Sequence, residues 1–161
     1  MERMPTSTYR IDFSNGISEE TLLSLMMLYQ PLIGKDATIL YLTLIAEGKT
    51  QKGFEKHQRL LVLVDLDINA LDKACTKLEE YMLMRTYVKT TELCDQYIYV
   101  LNSPIHTKDF LKSNVFMNRY ERTVGDDANI NIRFYDDAGS SAIPKGTAGN
   151  YNYTTAEGKV I

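Results

Sequence analysis

The clearest candidates for contact with another molecule in this sequence are cations. Lys73 and Lys77 stand one helical turn apart, and Arg85 and Lys89 follow at strand spacing a few residues later. Four such charges on adjoining elements could meet the phosphates of a nucleic acid. Asp67, Asp72, Glu79 and Glu80 share the same stretch, so a solvated, salt-bridged face accounts for the charges equally well. No Arg, Asn or Gln cluster accompanies the lysines, which argues against base-specific readout. Tyr81, Tyr87, Tyr97 and Tyr99 could stack on single-stranded bases, although tyrosine is also a favourable packing residue on strands.

The patterns that catalysis requires do not occur. There is no GxxxxGK[ST] phosphate loop, no GxSxG, no HExxH, and no Ser or Cys with a local His to activate it. Glu19-Glu20 and Glu79-Glu80 read as helix-surface charges rather than general acids. Cys75 and Cys94 lack CxxC spacing, and His57 and His106 lie far apart without Cys or His neighbours, so no zinc site is expected. Cys75 falls on an apolar helical stripe and reads as a reduced, buried thiol. The expectation is a protein without catalytic residues, metal, cofactor or small-molecule substrate. A net charge of −3 over 161 residues provides no overall basic field, which leaves room only for weak, non-specific DNA contact. The start, Met1 to Thr8, is too polar for a signal peptide, and the longest apolar patch, Leu22 to Tyr29, falls well short of the roughly 20 residues of a membrane span. A cytoplasmic location follows as an expectation.

The elements that must position these residues are legible from period and punctuation. Tyr9, Ile11 and Phe13 alternate with Thr8, Arg10 and Asp12, predicting a half-buried strand. Asn15-Gly16 predicts a turn, and Ser18 with Glu19 and Glu20 the start of a helix reaching about Gln30. That helix is apolar nearly all round, more than one core face requires. Tyr29, Gln30, Pro31, Leu32, Ile33 and Gly34 predict a corner, with Pro31 ending the helix and Gly34 redirecting the chain at positive φ. A second helix follows from Lys35 to about Glu47, ended by Gly48, then a short one over Lys56 to Val64. The next, capped by Asp67 or Asn69 and reaching about Met82, carries Ile68, Leu71, Cys75, Leu78 and Met82 at spacings of 3 and 4. Met84 to Thr90 and Gln96 to Leu101 predict a hairpin. A last helical stretch runs from about Thr107 to Arg122, with Phe110, Leu111, Val115, Phe116 and Tyr120 as its apolar positions. The order predicts an α+β, mainly α fold: a winged helix-turn-helix with an extra N-terminal strand and helix and a C-terminal helical extension. Residues 1–7 are expected to be a flexible start, 8–122 the domain, and 123–161 a flexible Gly- and Asp-rich tail, within which Asn129 to Tyr135 could form one short strand.

As a string, the corner together with the start of the second helix, YQPLIGxxAxxLYxxL, resembles the N-terminal domain of the DnaD/DnaB-type primosomal helicase loaders, the replication initiation and membrane attachment proteins of low-GC Gram-positive bacteria. The block from Leu66 to Tyr87, with Leu71, Ala74, Lys77-Leu78-Glu79, Leu83 and Thr86-Tyr87, is similar to that family's second signature, followed by a Tyr-rich wing at Tyr97-Ile98-Tyr99. Met82 stands where the family usually carries Gly, so a differently shaped helix end is expected there. Residues 123–161 do not resemble the family's separate C-terminal domain.

The resemblance implies a non-catalytic replication-initiation protein and a self-associating module, dimer or tetramer, of a helicase loader. Its partners would be itself, primosomal proteins and the replicative helicase machinery, and peripheral membrane association rests on the resemblance alone. Tyr9, Ile11, Phe13, Leu22, Leu25, Met26 and Tyr29 are the candidate oligomer interface, although a thick monomer core explains the same residues. A winged-helix transcription regulator binding duplex DNA is the alternative reading.

Overall fold

The computed structural model of the chain describes residues 2–13 and 17–125. In chain order it contains β1 (Thr8–Phe13), α1 (Glu19–Ser24), a π-helical turn (Leu25–Tyr29), α2 (Gln30–Thr50), β2 (Glu55–Lys56), α3 (His57–Val64), α4 (Ile68–Glu80), β3 (Met84–Thr90), β4 (Asp95–Leu101), α5 (Thr107–Lys112) and α6 (Asn114–Val124). The four strands form one sheet in the order β2-β1-β4-β3. β3 and β4 are the antiparallel wing, and β1 lies parallel to β4 with Tyr9 beside Tyr97 and Ile11 beside Tyr99. β1 is thus an interior strand. Its inner residues Tyr9 and Ile11 join Tyr97, Tyr99 and Leu101 in the core, facing α2 and α4. β2 extends the sheet for only two residues, and the Gln51 side chain continues the pairing by accepting from Ile11 N–H and donating to the Tyr9 carbonyl.

α4 follows its sequence closely. Asp67 caps it by accepting from Ala70 N–H at 2.7 Å, and Leu71, Ala74, Cys75 and Leu78 are buried. Burial pushes the Cys75 thiol up to about 12, which keeps it protonated. At the helix end Met82 takes a left-handed turn, with φ 60°, at the position where the resembling family usually has Gly. Asn102 donates through its side chain to the Met82 carbonyl, and Leu83 N–H closes back on Leu78.

Pro31 does not end a helix. The chain stays helical through it, because the π-helical turn just before widens the ladder where the missing N–H would fall. Side chains approach the carbonyls of that turn, Gln30 Nε2 toward Met26 and the Tyr120 hydroxyl toward Met27, each at 3.5 Å. The break comes at Gly34, whose φ of 86° and ψ of 168° are open essentially to glycine alone. Beyond it α2 runs past Gly48 to Thr50, and Gln51 N–H bonds the Glu47 carbonyl.

Three further differences concern the ends of the domain. The last helical stretch is two helices, because Ser113 is extended and caps α6 by accepting from Phe116 N–H. Residues 2–7, expected to be flexible, are tied down: Ser7 is buried and Arg3 makes three side-chain hydrogen bonds. Within the stretch expected as a tail, 123–125 complete the end of α6, with Val124 packed against the core. The remainder, including the strand expected over Asn129 to Tyr135, lies outside the described residues.

Candidate functional site

The corner motif is chiefly a packing device. Tyr29 packs edge-on against Phe110 at 5.2 Å, and its hydroxyl accepts from Ile105 N–H, so the motif anchors the chain entering α5. Leu32 and Ile33 are buried, and the Gly34 carbonyl accepts from Thr38 Oγ1 at 2.8 Å, fastening the second half of α2 to the corner. Gly34 and Ile33 line one wall of a concavity of about 520 Å³ whose other wall is α4. Lys35, Lys73 and Lys77 rim it, together with Asp36 and Asp67.

The four cations picked from the sequence do not form one patch. Lys73 and Lys77 belong to that groove, where Lys77 pairs loosely with Glu80 at 3.8 Å. Arg85 and Lys89 sit on β3 in register with Val100 and Gln96, on the sheet face turned away from the core. Of the tyrosines, Tyr81, Tyr97 and Tyr99 are buried and only Tyr87 is exposed.

The candidate oligomer surface divides in the same way. Tyr9, Ile11, Leu25 and Tyr29 are core residues with no surface to offer. For Tyr9 and Ile11 the physical reason is the parallel pairing of β1 with β4, which turns an apparent apolar excess inward, while Tyr29 is covered by Phe110 and Phe116. Leu22 is 40 % exposed and Met26 is half-buried, while the Phe13 side chain lies outside the described part of the structure. Leu22, Met26 and the neighbouring Leu23, itself 47 % exposed, line a shallow depression on α1 with Glu19 and Glu20 at its rim.

Sequence reasoning missed a buried polar cluster. His57 is fully buried under the sheet, with Nδ1 3.0 Å from the Ser7 carbonyl and Nε2 2.7 Å from the Tyr99 hydroxyl. The consistent proton pattern has Nδ1–H donating to Ser7 and Tyr99 donating to Nε2, while Arg3 Nε donates to the Tyr99 oxygen at 2.7 Å. Arg3 also bonds Asp72 at 2.9 Å and Glu79 at 3.2 Å and lies over the Tyr97 ring. Burial, with the Arg3 charge beside it, pushes His57 down to about 4 and keeps it neutral. A second buried charge, Glu47, accepts from the Tyr9 hydroxyl at 2.8 Å and two bonds from Arg59, and the Arg59 contacts hold its carboxyl below its ordinary value. No periodicity marks Arg3, Ser7 or His57, so composition and spacing carried no signal for this network. Among the described residues no three His, Cys, Asp or Glu side chains gather to hold a metal ion.

The family model described as the DnaB N-terminal winged helix domain matches residues 4–150. The chain belongs to this family. A crystal structure of the primosome protein DnaB, residues 1–300, from Geobacillus stearothermophilus superposes with a TM-score of 0.78 at 24 % identity, covering 96 % of this chain and 57 % of that one. The present chain therefore spans a little over half of that relative's length. At this identity the likeness establishes the fold, and the sheet, the wing and α4 are the winged-helix core of the family. Among the described residues no helix is long and apolar enough to cross a membrane.

Proposed function

We propose that this chain is a non-catalytic replication-initiation module that self-associates and helps assemble a primosomal helicase loader. The family match over residues 4–150 is the observation that carries this reading. The structural relative from Geobacillus is a primosome protein, which supports the same process. The apolar depression on α1, with Leu22, Leu23 and Met26 exposed or half-exposed, is the best surface for a second copy. Glu19 and Glu20 at its edge would form the polar rim that such a contact needs. Partners would be further copies of the chain, other primosomal proteins and the helicase machinery.

Light scattering at micromolar concentration tests the self-association. The native chain should run as a dimer or tetramer, and Leu22→Ser with Leu23→Ser should shift it toward monomer without loss of helical circular dichroism. A native chain that stays monomeric at every concentration overturns the proposal.

A further inference from the structure

We propose that the outer face of the sheet is a binding surface for single-stranded nucleic acid. The site is independent of the α1 surface invoked for assembly. The register places Lys56, Thr8, Gln96 and Lys89 in one row across the sheet, Arg10, Ile98 and Tyr87 in the next, and Asp12, Val100 and Arg85 in the third. All of these residues point away from the core, because their strand neighbours Tyr9, Ile11, Tyr97, Tyr99, Leu101 and Met84 are the buried ones. Ile98 and Val100 are half-exposed, and neither packs against the core cluster.

The chemistry of this face is specific. Lys56, Arg10, Arg85 and Lys89 frame it against a single carboxylate, Asp12, in a chain whose net charge is −3. Among the described residues Lys56, Arg85 and Lys89 form no ion pair, while Arg10 pairs with Asp12 at 3.4 Å and lies over the Phe54 ring at 5.5 Å. Arg10 Nε is buried without a hydrogen-bond partner. Along β3 the order is cation, ring, cation: Arg85, Tyr87 and Lys89, at steps of roughly 7 Å. Tyr87 is 51 % exposed and stands beside Ile98, so a flat aromatic and apolar strip runs between charged edges.

Phosphates suit the edges and base faces suit the strip, and this combination binds single strands without sequence readout. A duplex could meet the cations but fits this face less well, since its stacked, paired bases offer no free face to Tyr87. An acidic peptide would use the cations but would have little use for the ring. On the opposite side of the sheet α4 is a weaker candidate, because Lys77 faces Glu80 and the carboxylates Asp36 and Asp67 line the same groove as Lys73.

Fluorescence anisotropy with the full chain and a labelled oligothymidylate at low salt tests the assignment. Binding should weaken as salt rises, with a slope of about −0.7 per phosphate contacted, so Arg85→Gln with Lys89→Gln should make it shallower by about 1.4. Tyr87→Ala should weaken binding about fivefold or more, and Tyr87→Phe should leave it unchanged. Lys73→Gln with Lys77→Gln should have little effect. All these positions are exposed, and circular dichroism checks that each variant folds. The proposal is overturned by absence of binding at low salt. It is equally overturned if only the Lys73 and Lys77 variants matter. Polyglutamate binding as tightly as the oligonucleotide, with Tyr87→Ala neutral, would assign the face to acidic peptides instead.

Discussion

Lowering the pH from about 7.5 to about 5 should remove roughly 2 kcal/mol of stability through His57. In the unfolded chain the imidazole titrates near its ordinary 6.5, whereas in the fold it is held at about 4, chiefly by burial. Above both values neither state carries the proton and the contribution is complete. Between them the unfolded chain binds a proton that the native cluster rejects, so stability falls as pH falls and the loss is full below about 4, at roughly 3 kcal/mol. The structural reason is visible at Nε2: once protonated it becomes a donor, and the Tyr99 hydroxyl proton that pointed at it has lost its acceptor while Arg3 still occupies the other side. Urea unfolding at a series of pH values, for the native chain and for His57→Gln, isolates the effect. The variant is expected to be less stable near pH 7.5 but flatter toward pH 5. Glu47 does not interfere, because a carboxylate held low keeps its contribution above its unfolded value of about 4.5 and loses it only below. Parallel pH profiles for the two proteins over this range would refute the reasoning.

Two substitutions test the backbone. Gly34→Ala should cost about 1–3 kcal/mol by thermal melting. A Cβ there would meet nothing within 4 Å, so the whole loss is conformational, and a change under about 0.5 kcal/mol would mean that the corner relaxes freely. Met82→Gly should stabilise the chain by about 0.5–1 kcal/mol, because the exposed Met82 sits at φ 60° where an L side chain is disfavoured. A destabilised variant would show that the Met82 side chain makes contacts outweighing its backbone strain.

The parts of the fold legible in the sequence are those where one face of one element decides the matter. The stripe of Leu71, Cys75 and Leu78 identified α4, and the alternation of Tyr9 and Ile11 identified β1, because burial on one side leaves a period behind. What β1 pairs with leaves no such trace. An interior strand and an edge strand alternate alike, so residues buried between β1, β4 and α2 looked like apolar excess at a surface. Pro31 misled for a different reason: the ladder widens one turn earlier, and only the three-dimensional path shows that the missing N–H is not missed. Lys73 and Arg85 are twelve residues apart and lie on different surfaces, which no spacing could reveal without knowing that the sheet stands between them.

The parallel seating of β1 beside β4 also sets an order of events during synthesis. Thr8 pairs with Gln96 and Phe13 with Leu101, so β1, once it leaves the ribosome, must wait for partners 88 residues further along. At roughly 5–20 residues per second that wait lasts on the order of 4–18 s. Throughout it Tyr9 and Ile11 lack their neighbours on β4, although α2, α3 and α4 can already form from local contacts. Closure of the sheet is then a late, long-range step. Whatever shields β1 until the hairpin emerges governs how much of the newly made chain reaches its native state.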